Sequence, residues 1–204
     1  VLETLFSFAL ATAILALSPG PDNIFVLTQS LVYGKRYGLA TVYGLITGCI
    51  VHTTLLAFGV SLIIKESETL FFTIKFFGAI YLLFLAFKVY KSDPSILLSK
   101  KNVTQKTTIQ LFKQGFVMNV FNPKVSIFFL AFFPGFLFSK TLSTIVQFYI
   151  LGLIFMVVSL IIFSLISILA ANIATSLKNN LKIGIYLKWL QILVFVVIAF
   201  FIFI

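Results

Sequence analysis

Two ionisable side chains, Asp22 and Lys124, lie deep in apolar sequence. Each directly follows a proline at a short polar interruption: Ser18-Pro19-Gly20-Pro21-Asp22-Asn23 and Asn119-Val120-Phe121-Asn122-Pro123-Lys124. A charge placed in hydrocarbon costs about 2.5–3.5 kcal/mol even on the mildest scales, so such residues mark functional sites by default. An anion and a cation facing one pocket complement a zwitterion. Asp22 would take an ammonium group, and Lys124 with free backbone N–H groups would take a carboxylate. The plainer reading is a buried ion pair that fixes the packing, although such a pair is by itself a poor source of stability.

Capping chemistry gives the interruptions a shape. Asn122 is a good N-cap, Pro123 suits a first helical turn, and Lys124 follows; in the other break Ser18 or Gly20 can cap, Pro19 or Pro21 can open the turn, and Asp22 and Asn23 follow. Each break then presents the N-terminus of a half-helix, with unpaired N–H groups and positive dipole character suited to a carboxylate. Asp22 is favoured at such a place and Lys124 is opposed by it, so stability alone does not select Lys124. Asn119 precedes Asn122 by one helical turn and is expected to face the same cavity.

Composition defines where these residues sit. The chain has 204 residues, 61% hydrophobic and 10% charged, and a mean hydropathy of +1.17. No charge occurs from Thr141 to Leu177. A bilayer accommodates that much apolar surface and water does not. The stretches are apolar on all sides rather than alternating, which selects helices over a barrel. The 26 Phe residues supply bulk suited to lipid contact. The lone Cys49 forms no disulfide within the chain. Val1 to Ser18, with Ala16-Leu17-Ser18 as a small-x-small step, resembles a signal-peptide core but lacks a basic flank, so a retained first helix is expected.

Hydropathy marks six segments: Leu2 to Tyr33, Gly38 to Ile64, Thr69 to Tyr90, Ile109 to Phe138, Leu142 to Ala171 and Ile185 to Ile204. The first and fourth are long for a straight crossing of about 30 Å at 1.5 Å per residue, and both contain a break. A polar linker, Lys91 to Thr108 with Pro94, separates the halves. The predicted fold is therefore all-α and integral to the membrane. It comprises one domain, with a repeat over about 1–90, the linker over 91–108 and a second repeat over about 109–204. Three segments per half is an odd number, so related halves are inverted repeats, each opening with a broken helix, as in many secondary transporters.

If each segment crosses once, eleven cations gather on one side: Lys35, Arg36, Lys88, Lys91, Lys100, Lys101, Lys106, Lys113, Lys178, Lys182 and Lys188. Lys65, Lys75 and Lys140 lie on the other. Cations concentrate in the cytoplasm, which puts the linker inside and both termini outside. The formal charge of +10 then serves anionic lipid headgroups, at about 1 kcal/mol per cation. No aromatic-interleaved basic groove accompanies it, so nucleic acid is not an expected partner.

With these residues in place the chain resembles the LysE/RhtB family of bacterial amino-acid exporters. The resemblance rests on Ser18-Pro19-Gly20-Pro21-Asp22-Asn23, Tyr33-Gly34-Lys35-Arg36-Tyr37-Gly38-Leu39, a Gly-rich second helix ending near His52, Gly115 to Lys124, and Phe128-Phe129-Leu130-Ala131-Phe132-Phe133-Pro134. It covers nearly the whole chain. It implies a six-helix exporter of amino acids or their derivatives in the bacterial cytoplasmic membrane, driven by an ion gradient, with protons the expected coupling ion. Many members carry Asn where this chain has Asp22, and some relatives in the wider superfamily move metal cations.

Other polar residues have plain readings. Gln29 and Gln147 can line a path or bond across helices, Gly44 and Gly48 fit close helix packing, and His52 is expected to be packed or to line the cavity, with proton relay the lesser alternative. His52 with Cys49 falls short of a metal site, no second ligand cluster exists in the sequence, and no cofactor is expected. A metal-cation exporter would want several convergent ligands, and Lys124 would repel its cargo. A membrane-embedded enzyme would need a nucleophile with its base, which one His and one deep acid do not supply. A homo-oligomer is compatible with the sequence, which does not specify one.

Overall fold

The computed structural model describes residues 1–62, 67–92, 106–170, 172–173 and 181–203. Most of the linker predicted over Lys91 to Thr108 lies outside them, as do Lys65, Lys100, Lys101 and Lys178. The regular elements among the described residues are all helices, with no strand.

The expected breaks are where the helices break. Helix α1 (Leu2–Leu17) ends at Ser18, whose backbone is extended, and α2 (Pro21–Tyr33) restarts from Gly20 as N-cap with Pro21 in its first turn. The two halves are bent by 60°. Gly34, the single residue before α3 (Lys35–Leu55), has φ 96°, a left-handed conformation that glycine adopts without steric cost. Helix α3 continues through a π-helical turn, Leu56–Val60, so His52 lies inside the helix rather than near its end. Ser67 caps α4 (Glu68–Lys91) by accepting from the Leu70 N–H.

The second half repeats the pattern. A capping box between Thr107 and Gln110 starts α5 (Thr108–Val120). Asn122 then caps α6 (Pro123–Ile127), its Oδ1 accepting from the Lys124 N–H at 3.0 Å. Helix α6 runs on through a π turn, Phe128–Phe132, and a 3-10 turn, Phe133–Phe136. The bend from α5 to this run is 46°. Ser143 caps α7 (Thr144–Ile168), and α8 (Leu181–Phe201) completes the bundle.

Lys35–Val60, Glu68–Lys91 and Thr144–Ile168 are each long and apolar enough to cross a bilayer, and the bent pairs raise the count to as many as five. Ile185–Phe201 is a shorter apolar helix. This is a multi-pass membrane protein.

Helix α3 is central, packed on α2, α5 and α7, while α1 lies on α7 and α4 pairs with α8. Its contact with α5 is backbone-close. A Cβ added at Gly44 would sit 2.0 Å from Phe112 O, and one at Gly115 2.4 Å from Thr41 O. The phenylalanines do more than face lipid: Phe8, Phe128, Phe129, Phe133, Phe148 and Phe195 are fully buried. The Phe129 ring stacks on Phe133 at 4.1 Å and meets Phe155 edge-on at 4.9 Å, which fixes α6 against α7.

Candidate functional site

The two breaks meet: Lys124 of the second satisfies backbone carbonyls of the first, and Asp22 of the first bonds the Asn122 side chain of the second. An α-helix leaves its last carbonyls without intrahelical partners, a serious cost where no water reaches. At the end of α1 three of the last four carbonyls, those of Ile14, Leu15 and Ala16, have donors. The Ser18 N–H bonds Ile14 O at 3.0 Å, Lys124 Nζ donates to Leu15 O at 2.9 Å and to Ser18 O at 2.8 Å, and Asn23 Nδ2 donates to Ala16 O at 2.7 Å. The conflict between Lys124 and the dipole of its own helix is thereby resolved. Its side chain reaches back to the negative end of α1, where a cation is favoured.

Asp22 makes the reciprocal connection. From the first turn of α2 its Oδ2 accepts from Asn122 Nδ2, the cap of α6, at 2.8 Å. Asp22 and Lys124 thus occupy equivalent first-turn places, each bonded to the opposite break and not hydrogen-bonded to one another. Neither polar head is fully committed. Asp22 Oδ1 is buried without a hydrogen-bond partner, and an ammonium group has three donors, of which Lys124 uses two. Asp22 is 4% exposed and Lys124 8%.

Between them is a small cavity lined on its polar side by Gly20, Asp22, Asn23, Asn122, Lys124 and Ser159. Leu15, Ala16 and Val125 close it from the break helices, and Phe155 and Phe163 close it from α7. The centre of a water-sized sphere can occupy only about 20 Å³ there, roughly the room one water needs. That space is too small for an amino acid as it stands. A Cβ on Gly20 would lie 3.6 Å from Lys124 Nζ, so a larger residue there would occupy the cavity itself.

Not every residue singled out in the sequence lines this cavity. Gly20 rather than Ser18 is the cap of α2, and the buried Ser18 hydroxyl has no partner although its carbonyl holds Lys124. Pro19, Pro21 and Pro123 shape the turns and do not line the space. Asn119 faces α3 instead, because the close approach at Gly48 draws it there: a Cβ at Gly48 would be 2.7 Å from Asn119 Oδ1. His52 lies beside it, with Nε2 3.1 Å from Asn119 O and its ring 5.3 Å from Phe129. This is the packed position, next to the breaks and outside the cavity. Gln29 is buried with Oε1 unpartnered. Gln147 is a loop clamp: Oε1 accepts from the Phe138 and Ser139 N–H groups, and Nε2 donates to Ser139 O and Leu142 O, all at 2.8–2.9 Å. Among the described residues no group of three or more His, Cys, Asp or Glu converges as a metal site.

The sequence reading missed Ser159 altogether. In the charge-free α7 it resembles several other serines, and the only available signal was its place between Phe155 and Phe163 on one helical face.

Helices crossing a bilayer, two of them broken at one buried, charged junction, define a membrane transporter class in which the site is built from discontinuous helices. The chain belongs to the LysE type translocator family, whose model matches residues 13–204. It is 32% identical to the homoserine/homoserine lactone efflux protein of Salmonella typhimurium over 177 residues, 87% of this chain and 85% of that protein. It is 27% identical to the leucine efflux protein of Salmonella choleraesuis over 182 residues, 88% and 84% of the two chains. An uncharacterized membrane protein of Vibrio cholerae is 26% identical over 85% of this chain and 83% of its own. No solved structure gives a significant match.

Proposed function

We propose that this protein exports amino acids or close derivatives from the cytoplasm by proton antiport, with the junction of the two breaks as the binding site. The observation that carries this reading is the reciprocal arrangement of Asp22 and Lys124. They form one buried cavity of opposite charges whose spare acceptor and spare donor match the ammonium and carboxylate of an amino acid. The names of the Salmonella relatives support the same cargo. A metal ion is disfavoured by the Lys124 ammonium at the same cavity.

The proposed architecture is a single domain of six crossings in two inverted repeats, about 1–90 and about 109–204, joined by the linker at 91–108. Contacts between helix ends support the alternating direction. Ser167 Oγ donates to Lys35 O at 3.2 Å, and Lys188 Nζ to Ser92 O at 2.7 Å, joining the cation-rich ends. Phe72 meets Phe203 with ring centroids 6.0 Å apart at the opposite end. Part of the pairing supports the repeats, since α3 packs on α5 as α7 packs on α1. Both termini are proposed to face outward from the bacterial inner membrane.

The cavity size supports alternating access, because the space is too small for an amino acid until the helices around it rearrange. Asp22 is the proposed coupling group, exchanging a substrate ammonium for an incoming proton. Proteoliposomes loaded with labelled L-homoserine or L-leucine test this under an imposed pH gradient, acidic on the side that corresponds to the cell exterior. Wild-type protein should release substrate faster with the gradient than without it, and Asp22→Asn should insert and fold yet lose the acceleration. An Asp22→Asn protein with wild-type rate and unchanged pH dependence would move the coupling elsewhere, with His52 the next candidate.

A further inference from the structure

We infer that Ser159, on α7, is a substrate-binding residue whose hydroxyl completes with Asp22 an acceptor pair for the ammonium group of the cargo. The inference rests on the amino-acid reading above and assigns one end of the substrate to a helix outside both breaks.

Ser159 is 1% exposed and lines the cavity, yet its Oγ makes no hydrogen bond. The buried Ser61 hydroxyl is likewise unpartnered, but Ser159 is the one that lines this cavity. Thr12, Thr47, Thr53, Thr73 and Ser126 each donate to the carbonyl four residues back, at 2.7–3.1 Å. A helical serine can take that bond to the carbonyl four residues back. Ser159 does not. A buried hydroxyl without a partner costs free energy, so the protein is more stable with an apolar residue there unless a ligand uses the group.

The other unpartnered polar atom lining this cavity is Asp22 Oδ1. A carboxylate only accepts and a hydroxyl both donates and accepts, so a group that joins the two oxygens must donate at least to Asp22. An alkylammonium group does so, and it adds the charge that Asp22 complements. Lys124 then remains for the opposite, carboxylate end. Phe155 and Phe163, one turn before and after Ser159, wall the space on the same face of α7. This places the ammonium end on the α7 side of the cavity and the rest of the substrate toward the breaks.

The test compares Ser159→Ala with wild type in proteoliposome efflux. It uses whichever of L-leucine and L-homoserine the wild type exports faster, alongside the analogue with a 2-hydroxyl in place of the ammonium. Loss of one charge-assisted hydrogen bond should raise the KM for the amino acid about tenfold or more. The KM for the hydroxy acid should stay within about twofold, and the unfolding temperature of the substrate-free variant should equal or exceed that of wild type. An unchanged amino-acid KM, or equal rises for amino acid and hydroxy acid, would overturn the inference. So would a variant that loses only a dependence on sodium, which would reveal a cation site. If the wild type exports neither amino acid, the cargo suggested by the Salmonella relatives fails, and the assignment of Ser159 to its ammonium falls with it.

Discussion

Replacing Lys124 by methionine removes the ammonium while keeping an unbranched apolar chain of similar length. Lys124 Nζ bonds two carbonyls, Leu15 O and Ser18 O, at the end of α1. Leaving a buried acceptor unpaired costs about 1–3 kcal/mol, so two give roughly 2–6 kcal/mol before the relief from no longer burying a cation. Inter-helix hydrogen bonds in membranes fall at the low end of such ranges, averaging about 0.6 kcal/mol. The Asp22 carboxylate also loses its neighbouring cation, which raises the cost again. A net loss of about 2–4 kcal/mol is expected, corresponding to roughly 4–16 °C for a chain of this size. The protein carries its own reporter, since Cys49 is its single cysteine and is buried. A thiol-reactive dye therefore follows unfolding in detergent without any engineered label. The Lys124→Met, Asp22→Asn double variant should be less destabilised than the sum of the two single variants, because the uncompensated carboxylate is gone. An unfolding temperature for Lys124→Met within about 2 °C of wild type would refute the capping of α1 by Lys124.

Other perturbations follow from the same contacts. Gly44→Ala and Gly115→Ala push a methyl into the facing backbone, at 2.0 Å and 2.4 Å. Each should cost about 1–3 kcal/mol, whereas Gly59→Ala, with nothing within 4 Å, should leave the thiol-dye melting curve unchanged. Gln147→Leu abandons four hydrogen bonds to the α6–α7 loop and should lower stability by about 2–4 kcal/mol, with amino-acid KM in proteoliposomes unmoved. In a Cys49→Ala background, Lys140→Cys should react with an impermeant maleimide added to intact cells, and Ser92→Cys should not. The reverse pattern would invert the proposed orientation.

The helices were legible because their punctuation is local. Pro19-Gly20-Pro21 and Asn122-Pro123 stop and restart a helix by chain stereochemistry alone, and the observed ends fall within a few residues of those read from hydropathy. What the punctuation holds together was not legible. Lys124 looked misplaced in its own first turn, and its partners, the carbonyls of Leu15 and Ser18, are backbone groups that carry no sequence signature. Asn119 shares a helical face with Asn122 by spacing, yet the approach of α3 at Gly48 claims it. The π turns at Leu56–Val60 and Phe128–Phe132 shift the face of each helix midway, which a fixed period cannot anticipate. Ser159 was invisible for a related reason: one hydroxyl in an apolar helix becomes meaningful only when its neighbour across the cavity is known.

The central claim is that the junction of the breaks recognises both ends of an amino acid. Its most direct test is ligand-induced stabilisation of the purified protein, followed through Cys49, with L-leucine, leucinamide and 2-hydroxy-4-methylpentanoate, and with L-homoserine, homoserine amide and 2,4-dihydroxybutanoate. The account predicts that the zwitterion raises the unfolding temperature more than either analogue of the same side chain. It also predicts that Lys124→Gln abolishes the preference over the amide and Asp22→Asn the preference over the hydroxy acid. Equal stabilisation by all three members of a series, or preferences that survive both substitutions, would contradict it.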